Sequence, residues 1–102
     1  MIVIMGHAKA APGEIDRILD GLRAMVAATL TEDGCEHYCF SRDLSDPDRM
    51  IITERWRDQA ALDAHFASPH MAQFDALLST ARVFDVSVKA YAGGTVLSLI
   101  GQ

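Results

Sequence analysis

The chain concentrates its chemically useful side chains between Glu54 and Phe74. Its only Trp (Trp56) and two of its four His (His65 and His70) fall in this stretch, with Phe74 closing it. Each type carries a distinct capacity. An imidazole such as His65 takes or gives a proton near neutral pH. The Trp56 indole offers a flat apolar face and one N–H donor, so it serves either as a cap on the core or as a wall of an aromatic-ligand pocket. Glu54 alternates with Met50, Ile52 and Trp56 on one face of a strand, an apolar row in which an unpaired carboxylate is costly. It is expected to be a structural residue paired with Arg82 or Lys89, with a general acid or base as the other reading.

His65 lies three residues after Leu62 on a short helix, so it borders the face that packs on the sheet. It is either a half-buried, hydrogen-bonded histidine or the proton-transfer residue of a pocket with Trp56, His70 and Phe74. Pro69 separates His65 from His70, which removes the i,i+4 spacing of a helical zinc pair. No third ligand stands at a suitable spacing, so no metal site is expected. His7 and His37 sit on strands as secondary pocket or interface candidates. Cys35 and Cys39, four apart on a strand, would lie roughly 13 Å apart on one face, too far for a disulfide.

The elements that must position these residues are legible from periodicity. Residues 2–9 are apolar and β-rich. After the Ala11-Pro12-Gly13 break, Ile15, Ile18, Leu22, Met25 and Val26 recur at helical spacing. Gly34 suits a turn or C-cap. Residues 35–42 form a second strand with Tyr38 and Phe40 on one face and Cys35, His37 and Cys39 on the other. Turn residues at 43–48 lead to a third strand over 49–56, antiparallel to the second. Asp58 is a good N-cap for a helix at 59–67, and Pro69 opens another through about residue 80. A fourth strand follows at 82–92, then Gly93-Gly94 and an apolar tail strand. The order β-α-β-β-α-β predicts an α+β, ferredoxin-like, four-stranded antiparallel sheet with helices on one face. The bare face calls for a second copy of the chain.

With 102 residues, the chain is one domain, and half of its residues are hydrophobic. A net charge of −5 without a basic cluster argues against nucleic acid or an anionic membrane as partner. No apolar run approaches the ~20 residues of a membrane span. No leader pattern follows Met1, so the cytosol is the expected location.

Gly34-Cys35, Tyr38, Thr53-Glu54-Arg55-Trp56, Ala61-Leu62, His65, Ser68, His70 and Phe74 together resemble the antibiotic biosynthesis monooxygenase (ABM) family in order and spacing. The resemblance implies a homodimeric α+β barrel with a pocket between sheet and helices in each subunit. It implies a cofactor-free oxygenase in which a phenolic or quinol-type aromatic reacts as its anion with O₂. His65 would be the catalytic base, Trp56, Tyr38 and Phe74 the pocket walls, and His70 and His37 secondary polar contacts. Two alternatives are a non-catalytic ligand-binding dimer of the same fold and a haem-degrading enzyme. The latter carries its ligating His within the last helix; residues 71–82 here have none, and His70 stands at the start of that segment, where haem ligation would need a shifted geometry.

Overall fold

The computed structural model describes residues 1–101. Strand β1 (Ile2–Ala10) is followed by helices α1 (Glu14–Arg17) and α2 (Leu19–Thr29) and by strands β2 (Cys35–Asp43) and β3 (Asp46–Trp56). Helices α3 (Gln59–Phe66) and α4 (Pro69–Ser79) then lead to β4 (Val83–Ala92). The four strands form one antiparallel sheet in the order β2-β3-β1-β4. This is the ferredoxin-like arrangement expected from the sequence. No helix among the described residues is long and apolar enough to cross a membrane.

Strand alternation decides which face is covered. Ile2, Ile4, Ala8 and Ala10 of β1 and Met50, Glu54 and Trp56 of β3 are buried beneath the helices. Val3, Met5 and His7 of β1 take the opposite parity, with Tyr91, Lys89 and Ser87 of β4 directly across from them. Met5, Tyr91 and Phe84 are more than half exposed on that far face. Two groups of buried residues hold the helices down. One joins Ile2, Ile4, Met25, Tyr38, Trp56 and Leu62, and the other Ala10, Ile15, Ile18, Leu22 and Met50. Phe40 and Phe74 stack at 5.6 Å and touch both groups, so they join them into one core. Each such side chain stabilises the fold by about 1.5–3 kcal/mol.

Three local details depart from the sequence reading. The helix after Pro12 breaks at Ile18, whose φ of −101° and ψ of 10° interrupt the turn between α1 and α2. A β-bulge between Cys35 and His37 shifts register, so Cys35 pairs with Trp56 and packs on the core instead of sharing the far face with His37 and Cys39. The expected tail strand is absent among the described residues. Residues 95–100 carry no strand pairing, and Val96, Leu97, Leu99 and Ile100 are exposed.

Candidate functional site

Trp56 ends β3 beneath the helices and is 0% exposed. Its Nε1 donates to Glu54 Oε1 at 2.9 Å, which supplies the partner that Glu54 needs. Neither Arg82 nor Lys89 plays that part. The backbone N–H of Arg82 bonds Glu14, and Lys89 pairs with Met5 on the other face of the sheet. Parity separates Glu54 from Lys89, and the indole two residues along the strand satisfies the carboxylate instead. Burial pushes the Glu54 carboxyl upward, and Glu32 adds to this. The Trp56 hydrogen bond and the nearby His65 work the other way.

His65 is 2% exposed and lies against Trp56, with ring centroids 4.7 Å apart. Two caps bring it there. The Asp58 side chain accepts from Ala61 N and starts α3. Ser68 Oγ accepts from Met71 N at the start of α4 and donates to the carbonyl of His65 at 2.6 Å. One serine therefore fixes both sides of the break between α3 and α4, and with it the spacing of His65 and His70.

The residue the sequence reading missed is Glu32. It sits in the turn between α2 and β2, where its own amide bonds Thr29 and its carbonyl accepts from Cys35. Its Oε2 accepts from His65 Nδ1 at 2.6 Å and from His70 Nε2 at 2.9 Å. Because a carboxylate only accepts, Nδ1 of His65 carries hydrogen and Nε2 is the basic nitrogen of the neutral ring. Glu32 lies 33 positions before His65. No local spacing could pair them, although Glu32 precedes the Gly34 turn that the sequence does mark.

The other expected site residues divide. Tyr38 is buried, edge-on to His65 at 5.5 Å and to Trp56 at 6.4 Å. Burial is the main cause that holds its phenol well above the usual range, with the Glu54 charge adding to it. Tyr38 also lines a cleft of about 510 Å³ between α2 and β2. Leu22, Val26, Phe40, Met50 and Arg23 complete much of its wall. This volume falls in the range of small-molecule sites, about 300–1,000 Å³. Neither His65 nor Trp56 reaches the cleft. Phe74 stacks on Phe40 and, with His70, lines a smaller groove of about 220 Å³ between α2 and α4. His37 stands apart on the far face, its Nε2 2.9 Å from Thr53 Oγ1. The structure thus gathers Glu32, Tyr38, Glu54, Trp56, His65 and His70 into one buried polar–aromatic cluster beside an apolar cleft, and leaves His37 out.

Comparison with known proteins agrees with this architecture. The ABM family, "Antibiotic biosynthesis monooxygenase", matches residues 1–77. The "Probable quinol monooxygenase YgiN" of Escherichia coli K12 is 29% identical over 84 residues, covering 72% of this chain and 81% of that protein. The "Uncharacterized protein sll1783" of Synechocystis is 30% identical over 73 residues, and the matched part covers 72% of this chain and 50% of that protein. A Deinococcus radiodurans structure described as a "putative antibiotic biosynthesis monooxygenase" superposes with a TM-score of 0.89 at 32% identity, covering 99% of this chain and 100% of that one. The chain belongs to the antibiotic biosynthesis monooxygenase family.

Proposed function

We propose that this protein is a cofactor-independent monooxygenase of a phenolic or quinol-type aromatic, working as a homodimer. The observation that carries the reading is the apolar cleft walled by Tyr38, Phe40 and Met50, of a size for one small aromatic molecule. The quinol monooxygenase name of the Escherichia coli relative supports the substrate class. The substrate is its own reductant. Overall RH₂ and O₂ give R=O and water, so one oxygen atom enters the substrate and the other leaves with the two hydrogens. Loss of the phenolic proton makes the electron-rich anion that meets O₂, and the apolar wall keeps water from the intermediate.

In this reading His65 takes the proton at Nε2, with Glu32 holding Nδ1–H in place, as a carboxylate orients the imidazole of a catalytic triad. Tyr38 packs against His65 and also lines the cleft, which His65 itself does not reach. Proton transfer in this reading therefore requires the Tyr38 ring to shift. The burial of His65 favours a second reading, a non-catalytic dimer that binds a small aromatic in the same cleft. Aerobic and anaerobic incubation with a quinol panel separates the two. The oxygenase reading expects O₂ uptake above the protein-free rate, falling about 10²-fold or more in His65→Ala. Binding with O₂ uptake at the protein-free rate for every compound would favour the binder.

A further inference from the structure

We propose that Glu32, His65 and His70 form a binding site for a divalent first-row transition-metal ion. One potential ligand atom from each of the three residues lies within 4.8 Å of the other two. Two imidazoles and one carboxylate suit ions of the zinc, cobalt and iron type better than magnesium or calcium, which prefer all-oxygen shells.

The geometry is close to what such an ion requires. Metal–ligand bonds of about 2.0–2.2 Å in a tetrahedral site set ligand atoms roughly 3.3 Å apart. The two nitrogens now stand 2.6 and 2.9 Å from the Glu32 oxygen. A retreat of that carboxylate by about half an ångström brings both of its contacts to that spacing. The backbone is already fixed, since Ser68 braces His65 and caps the helix that starts beside His70. An entry path exists as well. The His70 and Glu32 side chains remain 21% and 14% exposed, and His70 lines the groove between α2 and α4.

A loaded site would hold His65 through Nδ1 and leave the ring proton on Nε2. An occupied site and His65 as proton acceptor therefore exclude one another, and this clause alone rests on the oxygenase reading.

The chain contains its own reporter. Trp56 is its only Trp and packs on His65 at 4.7 Å. Titrating the protein with Co²⁺ should quench Trp56 emission to saturation at one ion per chain, with the visible absorption of a nitrogen-bound low-coordinate ion. His70→Ala and Glu32→Gln, checked for retained fold by circular dichroism, should each weaken the apparent affinity at least tenfold. His37→Ala, on the far face, should titrate as the parent does. Quenching absent at millimolar Co²⁺ would overturn the site, as would folded His70→Ala and Glu32→Gln proteins that titrate like the parent. Should both variants unfold, an absorption spectrum of the parent showing only hexa-aquo Co²⁺ overturns it equally. The readout involves no turnover, so a failed oxygenase assay leaves this result standing.

Discussion

Glu32 Oε2 lies 2.6 Å from His65 Nδ1, although the two residues are 33 positions apart, one in the turn after α2 and the other in α3. This contact ties the α2–β2 turn to the end of α3 across the core. Its replacement should be felt in the whole fold. Glu32→Ala removes the acceptor for two imidazoles, one of them 2% exposed. An orphaned buried donor costs about 1–3 kcal/mol. Glu32→Gln keeps one acceptor oxygen and should lose less. Urea midpoints at neutral pH should rank parent, Glu32→Gln and Glu32→Ala in falling order. Equal midpoints for parent and Glu32→Ala would show that the contact contributes nothing to stability.

Glu54 leads to a pH-dependent prediction. Its carboxyl is raised in the fold, chiefly by burial, above the ordinary value of 4.5. The folded state therefore holds that proton more tightly than the unfolded chain does. The resulting contribution to stability is fully present below 4.5 and declines as pH climbs through the raised value. Above that raised value the parent carries a buried charge that Glu54→Gln lacks, while the amide oxygen still accepts from Trp56 Nε1. Glu54→Gln should be as stable as the parent near pH 4 and gain on it as pH climbs through the raised value. Glu54→Leu should instead fall below the parent, since it strands the indole N–H. Chemical denaturation at several pH values measures both. A difference between parent and Glu54→Gln that stays constant from pH 4 to 7 would show that the carboxyl is not raised.

Much of this was written in local sequence. The 2-residue alternation placed Trp56 and Glu54 together, Pro69 marked the break between α3 and α4, and Asp58 marked a helix start. What local pattern could not supply was contact across elements. Glu32 carries no local signal of a site because its partners arrive from 33 and 38 positions downstream. The bulge between Cys35 and His37 moved Cys35 to the core face, since one extra residue inverts strand parity. The arginine and lysine considered for Glu54 were plausible by charge alone. The indole donor beside it won because it shares the same face of the same strand. The open space also lay elsewhere than the rare residues suggested. Trp56 and His65 fill the core so completely that the cleft begins one ring away, at Tyr38.

The bare face of the sheet is the basis for the proposed homodimer. Tyr91 and Val3 are paired across β4 and β1 on that face, and Met5 and Phe84 lie more than half exposed there. A second copy would remove this apolar surface from water. Light scattering on the eluting protein should give the mass of two chains. Tyr91→Glu places a charge on the exposed face of β4, within the proposed interface, and should give one chain's mass, with circular dichroism unchanged. A single-chain mass for the parent at micromolar concentration would dismiss the dimer.

Gly34 provides the most direct test of how the turn positions His65. Its φ is +83°, a conformation that other L-residues adopt at a cost of about 1–2 kcal/mol. A Cβ there would also lie 2.5 Å from the Cβ of Ala61, in the first turn of α3. Both atoms belong to the ends of short, stiff attachments, so the backbone itself must shift. The carbonyl of Gly34 accepts from Arg57 N at 2.8 Å, which binds the turn to the segment just before that helix. Gly13 is the matched comparison: its φ is +81°, and a Cβ there meets nothing within 4 Å. Gly13→Ala should therefore lose only the backbone part, about 1–2 kcal/mol. Gly34→Ala should lose that and a further 1–3 kcal/mol or so for the clash. Because α3 carries His65, the displacement should also reach Trp56. Its emission maximum should move in Gly34→Ala and stay fixed in Gly13→Ala. Equal losses of stability in the two variants, with Trp56 emission unmoved, would show that the Gly34–Ala61 contact does not position the helix.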